Sequence, residues 1–566
     1  MEQAKGTRKN NGWKACLLEI GLYVAVLLLT LLLFLLLKPS AGNSYIGQGA
    51  VAQTLQLLGV AASLALGAYW FSKKKLSGKR AVILLLIIGY ILRVGYMLYT
   101  PATVGQHDTY TPNFDGHEAY AFTIFETGAL PSSNVYQFYH PPLNAAVQAA
   151  FMHFTESLLG GLSKLYPQGD AFLSIFTYGK PGYIDETRWF LYSSCQILAV
   201  LYSFIACVVS LKILKLFEFP ASTRVLLAAF LILFPRGIQF SGTLNNDALA
   251  FTLAVCALYF ALKWQKQGKK WIDILLCALF VGLGMSAKIS MATVCLPIAG
   301  VFIVAFIETL RKKENALSLW QSLLQYGAFL LLCAPIGLWF QVYAKIRFDQ
   351  PLGHVFSNLN HKLYTGDHSF FSRFIFCFDF SEYFGSLWCR PFEGNYYLFN
   401  YALRSAIFGE FRYSQGESFG VLAVLTAYIT VILLAVALGY GIFKWIKSKK
   451  SSPLLDGAGN AENAGNMGGV GSKIALGDWK DLLFAFLLVQ SQVIGEIYFY
   501  IKMPYGCTMD FRYIMPMILG LALTLGYAQK ALAGVGTQTA GRLSRLLTAF
   551  TAAFLISSTL FYCVCV

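Results

Sequence analysis

Charge is what this sequence has least of: Asp, Glu, Lys and Arg make up 13% of its 566 residues, while 57% are hydrophobic. Soluble domains carry roughly 25% charged residues. With a mean hydropathy of +0.57, this chain cannot be solvated on most of its surface, and its core must face lipid. The twelve cysteines contain no Cys-x-x-Cys pair and no Cys/His zinc spacing, which excludes zinc ribbons and dithiol redox motifs. Most lie in apolar runs, where a thiol behaves as a small hydrophobe. Cys377, Cys389 and Cys507 fall outside such runs, where an oxidising compartment would allow pairing. The polar segments also lack an Asn-x-Ser/Thr acceptor, which points toward a bacterial plasma membrane. No internal repeat is visible, which counts against an inverted-repeat transporter.

What the sequence does contain is apolar runs of roughly 20 residues, the length needed to cross ~30 Å of hydrocarbon as helix. Spans are expected near 15–37, 50–72, 80–100, 188–212, 222–240, 247–264, 271–286, 289–308, 318–341, 420–446, 480–501, 512–530 and 543–563. The fold class is therefore all-α, a polytopic integral membrane bundle of about thirteen transmembrane helices. The first run follows Lys5, Arg8, Lys9 and Lys14, but it is too long for a signal-peptide core and reads as a retained anchor.

The net charge of +16 does not imply nucleic acid, because the basic residues sit in short inter-helix loops, where they orient a membrane protein. With the N-terminus in the cytoplasm, Lys73 to Lys75, Lys212/Lys215/Arg224, Lys266 to Lys270, Arg311 to Lys313, Lys444 to Lys450 and Arg542/Arg545 all face the same side. That holds only if the segment from about Pro141 to Leu159 lies on the membrane rather than crossing it. The chain then divides into two additional N-terminal spans (1–79), a core (80–345) with an extracytoplasmic loop at 101–187, an aromatic-rich extracytoplasmic loop (346–419), and C-terminal spans (420–566). The Gly, Asn and Ala-rich stretch 451–477 reads as a disordered cytoplasmic linker.

The first extracytoplasmic loop gathers Asp108, Asp115, His117, Glu118 and His140. Carboxylates and imidazoles at a bilayer surface are partly desolvated, which suits them to general-base work or to metal binding. A solvated polar loop is the plain alternative. The order of features is more specific: an acid at Asp115, a helix-like run from Glu118 to Thr127, a stop at Gly128 to Pro131, then His140-Pro141-Pro142-Leu143 opening an amphipathic helix. This resembles the first loop of the GT-C glycosyltransferases, the superfamily of protein O-mannosyltransferases and lipid A aminoarabinose transferases. Asn245-Asn246-Asp247, the run Gly282 to Lys288, and Asp510-Phe511-Arg512-Tyr513-Ile514-Met515-Pro516 are similar to further motifs of that superfamily, in the same order. The chain departs from it at Asp115-Gly116, where many members carry Asp-Glu, and in its two N-terminal spans.

The resemblance implies a polyprenyl-phosphate sugar donor arriving from the lipid and an acceptor of unidentified kind, with sugar transfer by inversion on the extracytoplasmic face. It further implies Asp115, with Asp108 in reserve, as the base that takes the acceptor proton. Cations stabilise a departing phosphate best in a water-poor site, and Lys288, Arg512 and Arg236 are the candidates, with Tyr513 beside them as a phosphate-binding residue. Each also has a plainer reading: a snorkelling lysine for Lys288, interfacial anchors for Arg512 and Tyr513. Asp247, His117, Glu118 and His140 are expected in support, Asp247 alternatively as a helix N-terminal acid and His140 as a structural residue before two prolines. A divalent cation (Mg or Mn, with Zn also suited to imidazole) bound at Asp115 and His117 is compatible with some members and unnecessary in others. The aromatic loop, with Arg390, Arg404 and Arg412, reads first as an outer-leaflet anchor. A transporter or flippase of a lipid-linked or anionic solute, and a polysaccharide polymerase or ligase, are the competing functions.

Overall fold

A computed structural model describes residues 12–38, 48–102, 116–132, 136–165, 173–174, 176, 180, 182, 184–314, 316–351, 363–375, 377, 396–409, 416–450 and 479–564. Among them there is no β-strand, only one bridge between Tyr364 and Tyr505. The first three helices are α1 (Gly12–Leu37), α2 (Gln48–Ser72) and α3 (Gly78–Tyr99). Next come α4 (His117–Thr127) and α5 (Leu143–Leu165), then α6 (Glu186–Ser194), α7 (Gln196–Leu214), α8 (Ala221–Leu233), α9 (Asp247–Lys266) and α10 (Trp271–Ala287). The chain continues through α11 (Cys295–Leu310), α12 (Leu319–Phe348), α13 (Leu398–Phe408), α14 (Glu417–Lys450), α15 (Trp479–Lys502), α16 (Met517–Val535) and α17 (Gln538–Val564). About half of the aromatic loop and the whole 451–477 linker fall outside the described residues. Of the three cysteines noted above, Cys377 is buried 3.2 Å from the Tyr396 hydroxyl, Cys507 is half-buried, and Cys389 lies outside the described residues.

Eleven helical segments among the described residues are long and apolar enough to cross a membrane, counting α6 with α7 and the Ile289–Val294 3-10 turn with α11 as single segments. Two helices fall short. At 13 residues, α8 measures about 20 Å at ~1.5 Å per residue, well under ~30 Å of hydrocarbon. It stops because Pro235 follows: Phe234 leaves the helical region, and the chain restarts as a short helix, Pro235–Gln239, with proline at its first turn. The other, α10, ends at Lys288, whose backbone is extended. Neither α4 nor α5 is among the segments both long and apolar enough to cross a membrane.

Burial separates the periphery from the core. Only 17% of the α1 segment is buried, against 83% of α9, so α1 presents leucines to lipid on most sides while α9 is enclosed by protein. The far end of α1 is fixed by Lys38, whose ammonium donates to the Met97 carbonyl (2.8 Å), the Thr100 carbonyl (3.0 Å) and Gln196 Oε1 (2.6 Å).

With no hydrophobic drive between helices inside lipid, close backbone approach does the packing, and small residues permit it. A Cβ at Gly282 would stand 2.8 Å from Ile336 Cβ, and one at Gly337 would stand 3.1 Å from Met285 Sδ. Ser286 adds a hydrogen bond to the Ile336 carbonyl. These contacts press α10 onto α12 and set where Lys288 emerges. The turn before α9 is held similarly: a Cβ at Gly242 would meet the Tyr96 ring at 2.6 Å, Gln196 donates to the Gly242 carbonyl (2.8 Å), and Gln148 from α5 donates to the Leu244 carbonyl (2.6 Å).

Candidate functional site

Where α9 begins and α10 ends, the chain encloses a cavity of about 320 Å³. Asp247, the first residue of α9, is buried, and its carboxylate is hydrogen-bonded to the Lys288 ammonium and to the Asn245 amide. Asn245 Oδ1 in turn accepts the Asp247 backbone N–H (3.1 Å), and Asn246 donates to the Ala287 carbonyl (3.1 Å), tying the start of α9 to the end of α10. The Lys288 Nζ lies 4.6 Å from the Tyr513 ring centroid. Arg512 approaches from the other side, its Nε 4.0 Å from Asp247 Oδ2 and its Nη2 3.0 Å from the Tyr513 hydroxyl. Charges ~4 Å apart attract by about 4 kcal/mol at an effective dielectric near 20, so one carboxylate holds two cations together without needing a second hydrogen bond.

Arg512 and Tyr513 are not the first turn of a span. They occupy a 3-10 turn, Phe511–Ile514, that precedes α16, and Asp510 caps it by accepting the Arg512 backbone N–H (2.8 Å). The Asp510 carboxylate, fully buried, receives both bonds of Arg236 Nη2 at 2.9 Å. The turn thus sends Asp510 inward and Arg512 into the cavity. Gly409, at φ +63°, lies so close to this pair that a Cβ would overlap the Arg236 guanidinium. Only glycine satisfies both the backbone and the space.

The opposite wall comes from α4 and the segment before α5. His117 opens α4, and its ring stacks on His140 with centroids 5.2 Å apart. Tyr120 donates to the His140 carbonyl at 3.0 Å. Burial pushes the Tyr120 phenol up, so it stays a donor at ordinary pH and fixes the residue before Pro141.

The fourth wall is α15, which presents Gln492, Gly495, Glu496 and Phe499 at helical spacing. Gln492 Nε2 donates to the Thr293 hydroxyl (3.0 Å), and a Cβ at Gly495 would meet Thr293 Cγ2 at 3.0 Å, so α15 lies directly against the 3-10 turn after Lys288. Glu496 is 4% exposed. It also borders a second cavity of about 460 Å³, apolar and lined by residues such as Phe230, Leu403, Leu434, Leu525 and Phe554. Glu496 and Ile514 are common to both cavities.

Of the residues expected from sequence, His117, His140, Asp247, Lys288, Arg512 and Tyr513 line the polar cavity. Arg236 and Glu118 do not: the former is bound to Asp510 behind the 3-10 turn, and the latter is fully buried in the first turn of α4. Asp108 and Asp115 lie outside the described residues. Glu496 and Gln492 were not foreseen, although an acid deep inside the apolar run 480–501 is itself a functional signal. Among the described residues no three His, Cys, Asp or Glu side chains gather to hold a metal.

No protein-family model matches the sequence, and no curated protein matches it significantly. The reading of the site therefore rests on its chemistry. Two buried cations share one carboxylate, an aromatic hydroxyl and two histidines stand beside them, and an apolar chamber adjoins. Such a site suits an anionic head group joined to an apolar chain.

Proposed function

We propose that this protein is a membrane glycosyltransferase that moves a sugar from a polyprenyl-phosphate donor to an acceptor, with inversion, on the extracytoplasmic side. The observation that carries this reading is the pairing of the two cavities: Lys288 and Arg512 in the polar one suit a phosphate, and the apolar one that meets it at Glu496 and Ile514 suits a prenyl chain. The resemblance of the motifs to the GT-C superfamily agrees with it. In this reading α8 and α10 complete thirteen spans, α4 and α5 lie along the outer membrane surface, and the basic loops face the cytoplasm.

The acceptor hydroxyl attacks the anomeric carbon, the bond from that carbon to the phosphate oxygen breaks, and polyprenyl phosphate departs. Asp115, two residues before the cavity-lining His117, is the proposed base that takes the acceptor proton, with Asp108 in reserve. Lys288 and Arg512 offset the charge that grows on the leaving phosphate, and Tyr513 donates to it. Asp247 positions both cations. A divalent cation near Asp115 and His117 would supply further charge neutralisation.

The test supplies the purified chain with radiolabelled polyprenyl-phosphate sugars and follows release of free polyprenyl phosphate. Turnover is expected in the wild type and its loss in Asp115→Ala. If Asp115→Ala and Asp108→Ala both turn over as the wild type does, the assignment of the base is wrong. One observation favours a second reading, transport of a lipid-linked or anionic solute: Glu496 is an acid buried within a membrane-length helix. Flux into liposomes that survives both substitutions would decide for it.

A further inference from the structure

The proposed transfer leaves one buried group of the cavity without a task. Glu496 Oε1 is shielded from solvent, and no hydrogen bond to it exists among the described residues. Lys288, Arg512 and Asp510 are close enough to act on it electrostatically, but none forms an ion pair with it. A buried carboxyl oxygen left unbonded costs free energy in the empty protein, and the cost is removed only by something that enters the cavity.

The surroundings restrict what that something is. The cavity has two poles, with Lys288 and Arg512 joined through Asp247 on one side and the Glu496 carboxyl on α15 on the other. A phosphate answers the first pole but brings no donor for the unbonded oxygen of the second. A head group that is anionic at one point and carries hydroxyl or amide donors at another answers both. A glycosyl phosphate has that shape, whereas a bare prenyl phosphate has only the anionic part.

We infer that Glu496 is a specificity-determining residue that accepts a hydrogen bond from the sugar of a glycosyl-phosphate lipid, so that the site holds the glycosylated donor more tightly than the bare prenyl phosphate left after transfer. This inference rests on the glycosyltransferase reading. It adds that the carboxyl distinguishes donor from spent carrier: once the sugar leaves, Glu496 loses its partner and the carrier is held by the cations alone.

The experiment measures equilibrium binding to the full chain in lipid nanodiscs. The probes are farnesyl phosphate and farnesyl phosphates bearing a neutral hexose, an N-acetylhexosamine or a pentose. The wild type is expected to bind at least one glycosylated probe more tightly than farnesyl phosphate. In Glu496→Leu that preference should fall by roughly 2- to 10-fold, the worth of one hydrogen bond. Farnesyl phosphate should bind the variant at least as well as the wild type, which also reports an intact fold. Glu496→Gln keeps the size and one acceptor, and should retain part of the preference, so it serves if the leucine variant does not fold. An equal loss for all probes would overturn the inference by placing the carboxyl on the phosphate, and an unchanged preference would overturn it by removing Glu496 from recognition. Failure of the glycosyltransferase reading looks different: the wild type itself would bind none of the four probes.

Discussion

The two ends of the helix bundle use charge in opposite ways. At the end where α9 finishes and α10 starts, Lys263 pairs with Asp273 (2.7 Å), Lys266 with Asp481 (2.6 Å), and Glu308 with both Lys269 (3.2 Å) and Lys480. Three of these four ammonium groups, those of Lys263, Lys266 and Lys480, belong to partly exposed side chains. Each pair ties neighbouring segments together, and water or lipid head groups can take over at the partly exposed ammonium groups when a pair opens. At the end where α9 starts and α10 finishes, the side chains of Asp247, Lys288, Arg236, Asp510, Arg512 and Glu496 are all buried. Nothing outside can replace a lost partner there. Exposed pairs are worth little, whereas a buried charge costs several kcal/mol unless it is matched. The arrangement at the second end persists because Asp247 answers Lys288 and Arg512, and Asp510 answers Arg236.

The sharpest way to break this contrast is at the fully buried pair. Arg236→Leu leaves the buried carboxylate of Asp510, the cap of the 3-10 turn that carries Arg512, uncompensated. A loss of about 3–5 kcal/mol is expected, read from thermal unfolding in detergent. Replacing both partners by apolar residues should recover most of that loss while leaving transfer impaired, because the turn loses its cap. Next in size is Lys288→Met, expected to lower kcat by roughly 10²–10³-fold, equivalent to about 2.7–4 kcal/mol of transition-state stabilisation. Its effect should show in kcat more than in KM, and a purely structural lysine would instead lower the yield of folded protein at unchanged kcat. Gly282→Val tests the scaffold between the two ends. Forcing α10 away from Ile336 is expected to cost about 1–3 kcal/mol by overpacking, measured as a lowered Tm, with transfer falling as Lys288 shifts. The smallest effect belongs to the exposed rim: Lys266→Met should change stability by about 0–1 kcal/mol, and that difference should shrink as salt is raised. A rim substitution as damaging as Arg236→Leu would erase the distinction between the ends.

Much of the scaffold was legible before any coordinates. The apolar runs locate the helices because hydrocarbon thickness fixes their length, and Cys16 to Leu37 needs no tertiary information to be read as a span. Where the reading drifted, the cause was local. The run 222–240 looks continuous by hydropathy, yet Pro235 ends α8 at Leu233. The run 512–530 begins five residues early, because Phe511 to Ile514 are apolar enough to pass for helix while Asp510 caps them into a 3-10 turn. The same feature explains why Arg512 and Tyr513 look like interfacial anchors in sequence and stand inside a cavity in space.

Six of the ten singled-out site residues line one cavity: His117 and His140 stand out through the density of ionisable groups in the first polar loop, and Asp247, Lys288, Arg512 and Tyr513 through motifs at the ends of apolar runs that resemble those of the GT-C superfamily. Arg236 has the same signature and a different fate, since its partner Asp510 lies 274 positions away along the chain. Periodicity and hydropathy act over tens of residues and hold no record of such a distance. Glu496 was passed over because attention to polar loops discounts a single acid within an apolar run.

The amino-acid order alone determined that this chain is helical and lives in a membrane, because burying backbone hydrogen bonds in lipid leaves few alternatives to helix for runs of that length. It also determined which few ionisable residues stand against apolar surroundings. Only the packed structure decided which of those residues meet, that Asp247 gathers Lys288 and Arg512 while Asp510 takes Arg236, and that Glu496 faces the same cavity. Electrostatic partners are chosen by distance in space, and in a bundle that distance is set by how helices remote in sequence come to lie side by side.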